Sequence, residues 1–227
     1  REHLGYVVIR PQRPGTIGRA MVSPPTDHSR LVAGDSLAKH IRIAVPETIQ
    51  VFGTSITTIG VPFMEQDGHL MRCSHVSAWM CHYAAVLRGM VVRRPTAEFH
   101  TASGQGVFSY GRGYPSLGLT ASALSTITSN WDMPPEILDQ ESLQQHRDLS
   151  WQDHDAIRMV VAAGTDIDDA DESQAVLNRI WITENLKSSV CRYLNSGVPS
   201  ILCRDRLNHT QVVIGYLRKE DLAEYND

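Results

Sequence analysis

The amino-acid sequence predicts an α+β protein in which helices pack on an antiparallel β-sheet. The first sixty residues are rich in Val, Ile and Thr and are broken by prolines, which is typical of short strands joined by turns. A helical repeat of apolar residues follows from Cys73 to Leu87, and two strand-like runs lie near the C-terminal end. With 227 residues, the chain has room for one large domain or for one domain with an appendage.

Four extended apolar runs make up the N-terminal part of the chain: Leu4 to Arg10, Arg19 to Ser23, Ile41 to Val45, and Thr48 to Ile59. The prolines between and within them favour strands and turns over helices, because proline fixes the backbone and lacks an N–H donor. Residues 1–58 are therefore predicted to be a strand-rich flank. This flank extends the sheet of the following domain, covers a cleft in it, or forms a separate module.

The stretch from Cys73 to Leu87 has the strongest helical pattern. Its apolar side chains recur at steps of three and four and form one stripe, made of Val76, Trp79, Met80, Tyr83, Val86 and Leu87. Gly89 then ends the pattern. The sequence therefore predicts a buried helix whose first turn contains Cys73.

Two further helices and a hairpin are predicted after this helix. Thr120 can cap a helix that ends before Pro134. Apolar residues at a spacing of four predict another helix from residue 184 to residue 195, and Gly197 can close it in a left-handed conformation. The apolar runs 198–203 and 209–217 flank a polar turn and predict two strands, with His209 at the rim of the hairpin.

Composition and charge exclude several classes of function. The chain has 21 Lys and Arg against 25 Asp and Glu, so it lacks the positive field that draws a protein to nucleic acid. No apolar run reaches the roughly 18 to 20 residues that span a bilayer. The chain begins at Arg1 without a signal segment, so we expect a cytoplasmic protein, with a secreted effector as the alternative.

The cysteine pattern favours free thiols. Cys73, Cys81, Cys191 and Cys203 fit neither a dense disulfide framework nor a zinc site with a CxxC pattern. We therefore predict no metal and no cofactor. Cys81 and Cys191 fall in helical patterns and are predicted to be core or helix-face thiols, and Cys203 is predicted to be structural.

Three residues form a candidate catalytic set. Cys73 lies in the first turn of a predicted helix, where free N–H groups and the helix dipole favour the negatively charged, nucleophilic thiolate. Gln66 lies seven residues upstream, and its amide, together with the backbone N–H of Cys73, can form an oxyanion hole. His209, distant in sequence, can act as the general base. These residue types predict acyl transfer through a cysteine nucleophile.

The order of these residues resembles that of the papain-like cysteine peptidases, and most of all their bacterial branch of leader peptidases. In that branch a Gln-containing loop precedes a Cys that opens the central helix, here Gln66 and Cys73. A Gly-x-Pro turn into an apolar strand comes later, here NSGVPSIL (195–202), followed by a strand that starts with His and ends in a Gly-aromatic pair, here HTQVVIGY (209–216). The run Ser74 to Ser77 departs from the small and Ala-rich residues that usually follow the nucleophile.

The resemblance implies that residues 59–227 are a papain-like cysteine peptidase domain, with a central helix that carries Cys73 packed on an antiparallel sheet. It implies Cys73 as nucleophile, His209 as general base, Gln66 in the oxyanion hole, and a protein or peptide as substrate. The family's third residue orients the imidazole. Here it is Asn226 or Asp227, or a residue beyond the sequence given.

Several alternatives stay open at this stage. The same machinery serves a deamidase or a transglutaminase-like enzyme, because the acceptor depends on the pocket and on water access. A catalytically silent papain-like domain that binds peptides is a second alternative. His69 is a rival general base, whereas His75 lies two residues along the helix and is expected to point away from Cys73. Asp67 is a candidate contact for a substrate amine.

Overall fold

The computed structural model combines α-helices with antiparallel β-strands, in agreement with the predicted α+β class. It describes residues 3–11, 15–24, 40–66, 73–96, 98, 119–138, 186–204 and 209–216. The chain divides into two compact units, one formed by Arg1–Pro135 with Tyr193–Asp227 and the other by Glu136–Arg192. All strands named below belong to the first unit. In the second unit the structure describes residues 136–138 and the helical residues 186–192.

The N-terminal part forms a four-stranded antiparallel sheet. Its strands are β1 (Gly5–Ile9), β2 (Ile17–Val22), β3 (Val45–Val51) and β4 (Thr54–Phe63), in the spatial order β1-β2-β4-β3. The strand-rich character predicted for this region is confirmed. The boundary predicted between residues 58 and 59 falls within β4, which pairs with both β2 and β3.

Two of the strands predicted in this sheet are wrong in their bounds. The run Thr48 to Ile59 is not one strand, because a two-residue turn at Phe52 and Gly53 folds it into the hairpin of β3 and β4. Both turn residues have positive φ, 49° and 79°, as the tight hairpin turn requires, and Gly53 adopts this conformation without steric cost. The run Ile41 to Val45 is strand only from Val45 onward.

Gly60 explains why β2 and β4 can lie so close together. A Cβ atom at this position would collide with the backbone carbonyl of Val22 on β2. The absence of a side chain therefore permits the close approach of the two strands.

The predicted helices are confirmed where the structure describes them. Helix α1 (Cys73–Leu87) has the predicted bounds and is followed by Gly89 with a φ of 71°. Helix α2 (Ala121–Asn130) is capped by Thr120, whose hydroxyl oxygen accepts a hydrogen bond of 3.1 Å from the backbone N–H of Ala123. Residues 186–195 form helix α3, closed by Gly197 with a φ of 76°.

The predicted hairpin forms a second, separate sheet. Strands β5 (Ser200–Arg204) and β6 (His209–Val213) pair in antiparallel register, with Arg204 opposite His209. An isolated bridge between Ile41 and Gly215 connects the end of this hairpin with the segment that leads into β3. Among the described helices, none is long and apolar enough to cross a membrane.

Helix α1 packs between the two sheets. One side contacts β3 and β4, and another contacts β5 and β6, while α2 covers a further part of its surface. The main core therefore combines side chains from the sheet with side chains from both helices: Met21, Val45, Met64, Val76, Ala78, Trp79, Tyr83, Leu124, Ile127 and Trp131. Because both sheets cover α1, polar residues outside its apolar stripe are also buried, among them Ser74, His75 and His82.

A buried carboxylate lies between the first sheet and α1. Glu47 on β3 is only 6% exposed, and its two oxygens accept hydrogen bonds from the hydroxyls of Tyr6 and Tyr83. Arg19 donates a hydrogen bond of 3.1 Å to the Tyr83 hydroxyl. Burial, followed by the hydrogen bond to Glu47, raises the pKa of Tyr83 to about 12. Both tyrosines therefore stay protonated and act as donors to the carboxylate.

We expect Tyr83→Phe to lower the free energy of unfolding by about 2 kcal/mol, because it removes one of the two hydrogen bonds to a buried charge. Tyr216→Phe is the matched control, since the Tyr216 hydroxyl donates to the exposed, neutral side chain of Asn195. This control substitution should lower the free energy of unfolding by about 0.5 kcal/mol or less. Urea unfolding of both variants measures the difference. If both variants lose the same free energy of unfolding, the hydrogen bond from the Tyr83 hydroxyl to Glu47 does not contribute the expected stability.

Candidate active site

Cys73 is the first residue of α1. Its side chain is half-buried and its thiol is free, so it is neither sealed in the core nor joined in a disulfide. The first turn of α1 contains no acidic residue, and its backbone N–H groups have no partners within the helix. Unpaired N–H groups at a helix start are, in general, a setting that accommodates an anion.

Ser74 and Ser77 fix the N-terminal end of α1 in the fold. The Ser74 hydroxyl accepts a hydrogen bond of 2.7 Å from the backbone N–H of Leu119, just before the N-cap of α2. The Ser77 hydroxyl donates a bond of 3.4 Å to the backbone carbonyl of Thr210 on β6. These two bonds give both buried hydroxyls a partner, which explains how Ser74 and Ser77 are accommodated in a buried helix.

His209 is the first residue of β6, as predicted, and its side chain is half-buried. Ser77 lies one helical turn after Cys73, and its partner Thr210 lies one residue after His209. The structure therefore brings the helix of Cys73 and the strand of His209 together at their starting ends.

Gln66 lies three residues beyond the end of β4, and its side chain is exposed. Within the described part of the chain, no hydrogen bond joins any two of the side chains of Gln66, Cys73 and His209. The assignment of Gln66 to an oxyanion hole stays a prediction. His69, Asp67, Asn226 and Asp227, which the sequence offers as a rival base, a substrate contact and third residues, lie outside the described residues.

The other three cysteines range from buried to exposed. Cys81 is in the core, as predicted, and burial raises the pKa of its thiol to about 12, which makes it unreactive at neutral pH. Cys191 is half-buried. Cys203, predicted to be structural, is exposed on β5 and is therefore the main competitor of Cys73 for thiol reagents. Among the described residues, no cluster of His, Cys, Asp and Glu could hold a metal ion.

Sequence reasoning missed a polar cluster where α1 meets the four-stranded sheet, formed by Tyr6, Arg19, Glu47 and Tyr83. The signal was present in β3, where Val45, Glu47 and Ile49 alternate along one face, so that a carboxylate occupies an inward position. A charge on a core-facing side of a strand needs buried partners.

His82 also escaped notice, although it fixes the segment after α1. It is 1% exposed, its ring lies 4.5 Å from the ring of Trp131, and its Nε2 accepts a bond of 3.2 Å from the backbone N–H of Arg94. Burial, and then the nearby charge of Arg94, lowers the pKa of His82 to about 4. The folded protein therefore holds a neutral imidazole.

This lowered pKa predicts acid sensitivity. Unfolded His82 takes up a proton as the pH falls below about 6.5, whereas the folded form resists protonation until about pH 4, so stability is lost across this window. We expect the protonation of His82 to lower the free energy of unfolding by about 3 kcal/mol as the pH falls from about 6.5 to about 4. His82→Gln, whose amide oxygen can accept from Arg94, should show a flatter dependence of unfolding free energy on pH. Parallel curves for the two proteins would contradict this assignment.

Comparison with known proteins gives no relative: no family model, curated protein or solved structure matches the chain.

Proposed function

We propose that the chain is a cysteine-dependent acyl-transfer enzyme of the papain-like type that hydrolyses peptide bonds. One packing relation carries the proposal. Helix α1 begins at Cys73 and lies against β6, which begins at His209. The hydrogen bond from Ser77 to Thr210 joins the two elements close to the start of each. A thiol at a helix start beside an imidazole at a strand start is the combination that activates a cysteine nucleophile.

In the proposed reaction, the sulfur of Cys73 attacks the carbonyl carbon of a peptide bond and its proton passes to His209. The side-chain amide of Gln66 and the backbone N–H of Cys73 stabilise the negative charge on the carbonyl oxygen. His209 then protonates the leaving amine, and a thioester forms. His209 next takes a proton from water, which attacks the thioester, releases a carboxylic acid and restores the thiol. General-base and oxyanion effects are each worth about 10² to 10⁴ in rate.

A silent peptide-binding module of the same fold is the second candidate. It is favoured by the observation that, among the described residues, no hydrogen bond links Cys73 with His209. Catalytic hydrogen bonds often lengthen in unliganded enzymes and tighten when substrate binds. The two candidates differ in one measurable property, the reactivity of the Cys73 sulfur below neutral pH.

Alkylation with iodoacetamide at pH 6, followed by intact-mass measurement and peptide mapping, separates the two candidates. A simple thiol with a pKa of about 8.5 is only about 0.3% thiolate at this pH. A paired thiolate is fully ionised but intrinsically less nucleophilic, so we expect it to react about 100-fold faster. We expect one adduct per chain, on Cys73, formed well before the exposed Cys203 is labelled. Labelling of Cys203 first, with Cys73 no faster than a simple thiol, would favour the silent module and overturn the proposed catalysis.

A further inference from the structure

An open cleft of about 670 Å³ lies beside the polar cluster, on the side of α1 that faces the four-stranded sheet. Its apolar walls include Val8 on β1, Met64 after β4 and Trp79 on α1. Gln66, Cys73 and His209 do not line it. A molecule bound here would therefore leave the candidate active site unoccupied.

Three arginines make this cleft strongly positive. Arg19 on β2 and Arg93 and Arg94 in the segment after α1 all line it, and no acidic residue does so among the described residues. The nearby carboxylate of Glu47 is buried and already accepts hydrogen bonds from two tyrosines. The Glu47 carboxylate is therefore already paired and does not face the cleft beside the three guanidinium groups.

Two of the guanidinium groups are held in place before any ligand arrives. The guanidinium carbon of Arg19 lies 5.5 Å from the centre of the Tyr83 ring and 5.6 Å from that of Tyr6, and Arg19 also donates to the Tyr83 hydroxyl. The guanidinium carbon of Arg93 lies 5.6 Å from the centre of the same Tyr83 ring. Cation–π contacts of this kind restrict the side chains and bring two positive charges to one aromatic surface.

The third arginine is positioned through the backbone. The Arg94 N–H donates to the buried Nε2 of His82, which ties the segment carrying Arg93 and Arg94 to α1. Ordering the arginines in advance lowers the entropic cost of binding. His82 is thus a positioning residue for the cleft.

From these features we propose that the cleft binds an organic anion, a small carboxylate or phosphate ester with an apolar body. A guanidinium group can donate two parallel hydrogen bonds to a pair of oxygens on either headgroup. The apolar body lies against Trp79, Met64 and Val8, as in binding sites where apolar walls surround a few polar groups.

Isothermal titration of the full chain with matched naphthalene probes tests this binding. The probes are 2-naphthoate, 2-naphthyl phosphate, the neutral 2-naphthalenemethanol, and inorganic phosphate. We expect at least one of the two naphthyl anions to bind with one site per chain, and the tighter of the two identifies the preferred headgroup. The neutral probe and inorganic phosphate should each bind at least tenfold more weakly. Failure of both naphthyl anions to bind, or equal binding of the neutral probe, would overturn the proposal.

Variants then locate the site. Arg93 is exposed, so Arg93→Ala should fold normally and weaken binding of the naphthyl anion at least tenfold, and Arg94→Ala provides a second test of the same kind. Lys187→Ala removes the same charge from an exposed residue that does not line the cleft, and should change affinity less than twofold. Equal effects of Arg93→Ala and Lys187→Ala would mean that net charge, not this cleft, attracts the probe.

The binding proposal is independent of the proposed catalysis. We expect these variants to leave the alkylation of Cys73 unchanged, so a failure to bind the probes is distinguishable from a failure of the proposed catalysis.

Discussion

Replacing Cys73 by Ala should abolish turnover of a fluorogenic peptide library, with a loss of at least about 10⁴-fold, because no other group replaces the sulfur as nucleophile. The same variant should no longer form a covalent adduct with a peptidyl vinyl sulfone. Alanine favours helix, and Cys73 is only half-buried at the first position of α1, so the fold should be retained. Circular dichroism and thermal unfolding check this retention.

Cys203→Ala is the matched control for this experiment. Its side chain is more exposed than that of Cys73, but it lies on the strand β5, where it pairs with Thr210, and not in the first turn of a helix. The control should keep full turnover and full labelling by the vinyl sulfone. If instead the adduct persists in Cys73→Ala and disappears in Cys203→Ala, the nucleophile has been assigned to the wrong cysteine.

Replacing His209 by Ala should slow alkylation of Cys73 at pH 6 by about 10²-fold and reduce turnover by about 10² to 10⁴-fold. An imidazolium beside the sulfur stabilises the thiolate, so without it the alkylation rate rises only at the higher pH typical of an ordinary thiol. The measurement is the rate of iodoacetamide labelling from pH 5 to pH 9. His209 pairs with Arg204 through the backbone, which alanine preserves.

Gln211→Ala provides the control on the same strand. Gln211 is exposed and lies two residues after His209, so its loss perturbs β6 without removing an imidazole. We expect its labelling profile to coincide with that of the unaltered chain. A His209→Ala profile that also coincides would remove His209 from the site and direct attention to His69.

Local patterns were sufficient to predict most of the individual elements. The bounds of α1 follow from its apolar repeat and from Gly89, and the start of α2 follows from a hydroxyl at Thr120 that can cap it. His209 begins a strand, as the polar turn before it indicates. These features depend on residues close together in the sequence, where propensity and capping act directly.

Features that depend on distant contacts could not be predicted in the same way. The run Thr48 to Ile59 is rich in β-branched residues on both sides of Phe52, and the single glycine at Gly53 does not distinguish one long strand from the hairpin that the paired strands reveal. Ser77 and His82 look like solvent-facing residues of an amphipathic helix, yet both are buried. For the candidate site, the sequence predicted which elements carry Cys73 and His209, but the contact between those elements arises only from the packing of α1 on β6.

Two sheets and a second helix enclose α1, and this enclosure determines how other molecules reach the thiol of Cys73. Segments enclosed on several sides exchange their amide hydrogens slowly, because they open only when much of the protein unfolds. Cys73 is attached to such a segment but stands at its accessible tip. A reagent or substrate can therefore reach the sulfur while the helix stays folded. The rate of encounter then depends on diffusion from solvent and not on local unfolding of the chain.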